Sequence, residues 1–189
     1  SAKTICKRYK GNQAHAEYLE QMAGKFFDLL QKYHGLGERE RLLLRLAAIL
    51  HDCGKFISMS APGECAYQII MSTEILGISH MEREMVACIV RYNTMELPNF
   101  REFDGKLGND EYLIVMKLAA ILRVCNALDR SHRQKFADMK LTIKDSNIVI
   151  TTAYPDNITL EKKTLQDKQD FFEEVYGLGF EIKQKKKKQ

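Results

Sequence analysis

The helical spacing of apolar residues is the feature that most constrains the fold of this chain. Over residues 13–33 they recur every three or four positions, and Gly35 and Gly37 follow and end the run. The same spacing returns over residues 38–51, with Gly54 just beyond it. An apolar stripe on one side of a helix has to be buried against other helices. The sequence therefore predicts a bundle of amphipathic helices.

Three further helices are predicted before the pattern changes. A short one covers about 65–76, and Ser79 with Glu82 then forms a capping box that opens a fourth helix to about Tyr92. The longest is expected over residues 109–131. Its buried stripe contains Leu118, Leu122, Cys125 and Asp129.

Near Met139 the pattern changes to the alternation that is typical of strands. Leu141 and Ile143, then Ile148 and Ile150, alternate with polar residues and predict a hairpin. A short strand is expected at 158–160, a helix at 164–176 and a final strand at 180–182. The predicted fold is mainly α: a helical domain over residues 1–137, then a small α/β (strand-strand-helix-strand) domain over residues 138–189.

Composition excludes several classes of protein. With 45% hydrophobic and 29% charged residues, the chain is neither disordered nor fibrous. Its formal net charge of +4 comes partly from Lys185 to Lys188, a basic C-terminal tail expected to be solvated. The five cysteines form no short-spaced pair, which favours a reducing, cytoplasmic setting. No membrane span is expected, and nucleic-acid binding is not expected because basic and aromatic residues are not interleaved.

Four residues form a candidate metal site. His51 and Asp52 end an apolar helix, and His15 opens the apolar stripe of the helix before it. Asp129 lies on an apolar stripe, where an ionised carboxylate must be paired, hydrogen-bonded or bound to a metal. We expect these four residues to converge from three helices.

Two imidazoles and two carboxylates would suit Mn²⁺, Fe²⁺ or Mg²⁺ better than a thiolate zinc site, with Zn²⁺ also a candidate. Such a centre polarises a phosphoryl oxygen and can generate a metal-bound hydroxide. Lys55, about one helical turn past His51, could contact a phosphate. Taken singly, however, each of these residues is more often a hydrogen-bonded core residue, a cap or half of an ion pair.

The order His, His-Asp, Asp, with Gly54-Lys55 after the second histidine, resembles the HD superfamily of metal-dependent phosphohydrolases. Residues 45–58, 83–92 and 122–132 resemble a more specific family, the exopolyphosphatase and guanosine pentaphosphate phosphatase family. In that family two N-terminal actin-like domains carry the catalytic site for polyphosphate hydrolysis. An HD-like helical domain and a small α/β domain follow them.

The resemblance implies an HD-type bundle and an accessory, C-terminal position in a larger protein. The expected partners are the actin-like domains, polyphosphate or another phosphate ligand, and a second copy in a homodimer. No glycine-rich phosphate loop is present, so the family's principal catalytic residues have no counterpart here. Pro62, Gly63 and Cys65 stand where the family often has a histidine-rich stretch, and Asn93 follows Arg91-Tyr92 where a histidine is common.

Three functions remain open. As an accessory domain, the chain would help bind an anionic ligand through basic residues near the end of the longest helix, or form a dimer interface. These residues are Arg123, Arg130, His132, Arg133 and Lys135. The alternative for them is a solvated helix end, where cations favour the helix dipole. The second function is an autonomous HD phosphohydrolase acting on a nucleotide or phosphoester, and the third is a metal-free interaction module.

Overall fold

A computed structural model describes residues 1–103 and 107–185. Gly105 of the predicted loop and the basic tail from Lys186 onward lie outside these residues. The described chain is mainly helical, with a small mixed sheet near its C-terminus, as the sequence predicts. The helices are α1 (Ala2–Arg8), α2 (Gln13–Leu29), α3 (Gln31–His34), α4 (Glu38–Leu50), α5 (Pro62–Met71), α6 (His80–Thr94), α7 (Asn109–Leu128) and α8 (Thr159–Tyr176). The strands are β1 (Lys140–Lys144), β2 (Asn147–Thr152) and β3 (Gly179–Gln184).

The bundle forms where the predicted stripes meet. Helix α2 packs on α4 and α7, α4 on α6, and α6 on α5 and α7. Leu19, Phe26, Leu50 and Leu122 are fully buried, which removes their apolar surface from water and supplies the main stabilising term. The predicted capping box is confirmed, since the Glu82 N–H donates to Ser79 Oγ and the Ser79 N–H to a Glu82 carboxylate oxygen.

Several helix boundaries differ from the prediction. Helix α5 spans Pro62–Met71 rather than residues 65–76, because proline is favoured in a first turn and the Ser72 and Thr73 hydroxyls bond back to carbonyls at its end. Helix α7 stops at Leu128, so Asp129 follows the helix rather than lying within it. Helix α1, which packs on α4, was not predicted because a helix of seven residues is too short to show periodicity.

The predicted hairpin is present. Strands β1 and β2 pair antiparallel, with Leu141 opposite Ile150, and the positive φ angles of Asp145 (50°) and Ser146 (58°) fit a tight type I′ turn. Strand β2 then pairs parallel with β3, so the sheet order is β1-β2-β3. Helix α8 connects the two parallel strands and packs against α7. The α/β unit is thereby attached to the helical bundle.

The predicted strand at 158–160 is wrong. Ile158 precedes α8 and Leu160 lies in its first turn. The Asn157 side chain accepts a hydrogen bond from the Thr159 N–H, and the Lys162 N–H donates to the Ile158 carbonyl, so local capping favours a helix over three residues of strand. The domain boundary at residue 137 stays a prediction. None of the described helices combines the length and hydropathy that a bilayer crossing requires.

A buried ion pair fixes the start of α8. Lys135 Nζ lies 3.0 Å from Glu161 Oε2 and donates to the Asn157 carbonyl at 2.8 Å. The Glu161 side chain is 0% exposed, and its other oxygen accepts from the Ser131 N–H at 3.3 Å. A carboxylate buried this deeply needs a compensating cation. Lys135 supplies it and links the segment after α7 to α8.

Replacement of Lys135 by methionine should lower the free energy of unfolding by about 3–5 kcal/mol, because it leaves the Glu161 carboxylate buried and unpaired. Urea denaturation followed by circular dichroism measures the change. The double variant Lys135→Met/Glu161→Leu should recover most of the loss, since it removes both charges.

Lys163→Met is the matched control, because the Lys163–Asp167 pair has side chains 66% and 54% exposed. Its loss should stay below about 1 kcal/mol. Equal losses in Lys135→Met and Lys163→Met would show that the buried pair does not hold α8 in place.

Candidate metal centre

Side chains from the start of α2, the end of α4 and the end of α7 meet in one buried place. His15 lies in the first turn of α2, where the Asn12 side chain caps the helix by accepting the His15 N–H at 3.1 Å. His51 and Asp52 directly follow α4, where a short 3-10 turn at Cys53–Phe56 replaces the helix. Asp129 directly follows α7. The predicted convergence of these segments is therefore present in the structure.

His15 is held by Asp129. His15 Nδ1 lies 2.6 Å from Asp129 Oδ2, and both side chains are 1% exposed. The other oxygen of Asp129 accepts the Gln134 N–H at 2.8 Å. Because a carboxylate only accepts hydrogen bonds, His15 carries a proton on Nδ1, and in the neutral ring Nε2 keeps a lone pair.

His51 is held in the same way by the backbone. Its Nδ1 donates to the Ala48 carbonyl at 2.7 Å, so its Nε2 also keeps a lone pair in the neutral ring. The His15 and His51 rings have their centroids 4.9 Å apart. Both Nε2 atoms are buried, and neither has a hydrogen-bond partner among the described residues. In the neutral rings, two buried lone pairs on neighbouring imidazoles are therefore left without a partner among the described residues.

Asp52 supplies an anionic oxygen beside them. Asp52 Oδ1 lies 3.2 Å from His51 Nε2 and 2.7 Å from Lys55 Nζ. The first contact is no hydrogen bond when His51 is protonated on Nδ1, because two lone pairs then face each other. Burial alone would raise the pKa of Asp52, but the Lys55 ammonium, through its hydrogen bond and its charge, opposes this, and the pKa is lowered. Asp52 is therefore ionised at neutral pH.

His132, which the sequence predicts as a phosphate contact, joins the site as a further donor. Its ring stacks on that of His15 with centroids 3.8 Å apart and planes 18° apart. Ligand atoms of His15, Asp52 and His132 all lie within 4.8 Å of one another. His132 reaches this position because it adopts a left-handed conformation (φ 55°) after α7 has ended. The sequence shows that His132 follows Asp129 by three residues. The helix predicted to Ser131 would, however, have placed the His132 side chain away from the site.

The donor set fits a divalent cation. Imidazoles that bind metals usually donate their other ring N–H to a carboxylate or a backbone carbonyl, which fixes the ring and aims the lone pair. His15 and His51 have these two kinds of partner. Asp129, predicted as a direct ligand, has hydrogen bonds on both oxygens and lies behind His15. Its direct coordination stays a prediction.

The predicted phosphate-binding residues do not form one surface. The guanidinium of Arg123 donates to the Tyr92 and Met95 carbonyls and lies over the Phe171 ring, and Lys135 belongs to the buried ion pair with Glu161. These contacts favour structural roles for both residues. Arg130, His132 and Arg133 are exposed in the segment that follows α7, and Lys55 lies beside Asp52 with 33% of its side chain exposed. Phosphate binding by any of them stays a prediction.

Comparison with protein families identifies the chain. A family model described as Ppx/GppA phosphatase, domain III, matches residues 1–170. The chain belongs to this family. The resemblance to exopolyphosphatases is thereby confirmed, and this domain III is an accessory domain that implies a multidomain parent. A search of curated proteins gives no match.

Acid should destabilise this domain III through His51. Burial lowers the pKa of His51 from 6.5 to about 4. The unfolded chain therefore binds a proton near pH 6.5, whereas the folded chain does so only near pH 4, so stability falls as the pH decreases through this window. The total loss should be roughly 3 kcal/mol. Urea denaturation in the presence of a chelator, at several pH values across the window, measures it.

His51→Gln should remove this part of the pH dependence, whereas His80→Gln, at an exposed histidine that opens α6, should keep it. The same slope in His51→Gln and in the parent chain would show that His51 does not enter the folded state as a neutral imidazole.

Proposed function

We propose that this domain III binds a divalent cation and uses it, together with Lys55, to hold a phosphate-bearing ligand for a Ppx/GppA phosphatase. The observation that carries the proposal is the pair of buried Nε2 atoms of His15 and His51, which lack hydrogen-bond partners among the described residues. Buried polar atoms without partners are rare and costly in folded proteins. A cation would satisfy both atoms at once.

Charge favours the same conclusion. The ionised Asp52 faces the lone pair of His51 Nε2 at 3.2 Å, which is unfavourable unless a positive charge lies between or beside them. Lys55 compensates only one side of Asp52. A divalent cation held by His15, Asp52 and His132, whose ligand atoms lie within 4.8 Å of one another, would compensate the other side. His51, whose ring lies beside that of His15, would be a further donor. Asp129 would orient His15, or coordinate directly as the HD resemblance implies.

The donor types restrict the ion. Nitrogen donors with one or two carboxylates suit Mn²⁺, Fe²⁺ or Zn²⁺, and Mg²⁺ is less suited because it prefers oxygen ligands. When bound, such an ion polarises a phosphoryl oxygen as a Lewis acid. The chain's own contribution would be Lys55, whose ammonium group is partly exposed and adds a point charge for a phosphate.

An accessory position explains why a binding site would be useful here. Polyphosphate is a long anion, and the exposed cations of the segment after α7, Arg130 and Arg133, would add attraction for it. The proposed partners are the actin-like domains of the parent protein and a second copy of this chain. Phe56, Ile57 and Met59 are 51%, 58% and 75% exposed directly after Lys55, and such an apolar surface would suit either contact.

Metal binding is tested by calorimetric titration of the metal-free chain with Mn²⁺ and Zn²⁺. We expect stoichiometric binding that releases protons at low pH, because imidazole ligands must be neutral. Asp52→Asn and His15→Gln should abolish it. Asp129→Asn should weaken it about 10–100-fold if Asp129 orients His15, and abolish it if Asp129 is a ligand.

His80→Gln serves as the control and should bind the ion as the parent does. If the parent chain takes up no stoichiometric ion, or if Asp52→Asn still binds it, the centre is a set of buried hydrogen-bonding groups and the interaction module becomes the better interpretation.

Ligand binding is tested by filter retention of long-chain polyphosphate with and without the ion. Retention should require the ion, and Lys55→Met should weaken it about tenfold or more, because a charge-assisted contact is lost. Lys163→Met, which removes an exposed cation on α8, should have little effect. Retention that is unchanged without the ion and in Lys55→Met would contradict the proposed phosphate site. Release of phosphate by the isolated chain, abolished by Asp52→Asn, would favour the autonomous phosphohydrolase.

A further inference from the structure

A cleft lies apart from the candidate metal centre, between the end of α6, the segment that follows it, α7 and α8. Its volume is about 910 Å³, which is within the range of ligand-binding pockets. Its lining includes Asn93 and Met95 from the first two segments, Tyr112 and Arg123 from α7, and Phe171 from α8. None of the described residues of the metal centre lines it. The cleft is therefore a separate feature of the fold.

Asn93 is the unusual residue of this cleft. It is 4% exposed, yet neither the nitrogen nor the oxygen of its side-chain amide has a hydrogen-bond partner among the described residues. A buried amide normally pairs both groups, because each unpaired group carries a desolvation cost. An amide in this state is suited to pair with a ligand.

The rim of the cleft is acidic. Its carboxylates are Glu96, Glu102, Asp167, Asp170 and Glu174, against the cations Arg123 and Lys168. Arg123 is already engaged by the Tyr92 and Met95 carbonyls and by the Phe171 ring, and Asp167 pairs with Lys163 at 2.8 Å. Asp170 and Glu174 are exposed and lie one turn apart on α8, on the same face. The rim therefore attracts positive charge and repels phosphate.

The two observations together define the ligand. The Asn93 amide requires a partner that offers a donor and an acceptor side by side, as a peptide bond does. A protonated polyamine offers donors only, and a nucleotide would bring phosphates against the rim carboxylates. Lysine and arginine side chains complement Asp170 and Glu174. A basic peptide satisfies both requirements.

We propose that this cleft binds a lysine- or arginine-rich peptide segment of a partner protein. The Asn93 side chain pairs with a backbone amide of the peptide, and Asp170 and Glu174 bind its cationic side chains. The site does not depend on the metal centre, so it operates whether or not the proposed ion is bound.

The proposal is tested with a fluorescent, end-capped peptide in which lysine and glycine alternate, titrated with the full chain and followed by anisotropy. The parent chain should bind it saturably, and Asn93→Leu should weaken binding about tenfold, because the backbone amide loses both partners. The midpoint of thermal unfolding of Asn93→Leu should be equal to or above that of the parent, because the Asn93 amide makes no hydrogen bond with the described residues that the change could remove. This combination separates a binding role from a structural one.

The surface variant Asp170→Asn/Glu174→Gln keeps the test valid if Asn93→Leu does not fold. It should weaken binding and reduce its dependence on salt, whereas Glu181→Gln, an exposed carboxylate on β3 outside the cleft, should change neither. Equal binding by the parent and the Asp170/Glu174 variant, or equal binding of a peptide with glutamate in place of lysine, would overturn the proposal. Binding that appears only after removal of residues 186–189 would make the chain's own tail the occupant and also overturn it.

Discussion

The hydrogen bond between His15 and Asp129 is the interaction on which the rest of the candidate metal centre depends. It joins residues 114 positions apart in the sequence, so it exists only when α2 and α7 have packed correctly. It fixes the tautomer of His15, whose ring also stacks with that of His132. The site is therefore a product of tertiary packing, and any change that separates α2 from α7 also separates its donors.

Much of this arrangement could be predicted from sequence because apolar periodicity records which face of a helix is buried. A histidine at the start of such a stripe and an aspartate at its end had to meet inside the bundle, and they do. Periodicity could not show that α7 ends before Asp129, nor that His132 turns back over His15, because both follow from the backbone conformation of a short segment. The strand expected at 158–160 failed for a related reason: the cap provided by Asn157 is a local interaction that a short apolar run does not reveal.

The basic residues illustrate a second limit. Arg123 and Lys135 look equivalent to Arg130 and Arg133 in sequence, since all lie near the end of the longest helix. In the structure Arg123 ties the end of α6 to α8, and Lys135 neutralises a carboxylate with no exposed surface. A positive charge that is already paired within the fold attracts an anionic ligand less than one that is not. Charge composition alone therefore overstates the cationic surface of this domain.

The left-handed backbone after α7 affects which residues of the candidate metal centre relatives would retain. His132 and Gln134 both have positive φ, which costs a residue with a side chain about 1 kcal/mol relative to glycine. Gln134 also supplies the N–H that holds Asp129. Selection for stability alone would favour glycine at both positions, whereas selection for binding would retain the imidazole at 132. Relatives that have lost the function of this centre would then be expected to lose His132 before they lose His15 or His51, whose substitution disturbs the core.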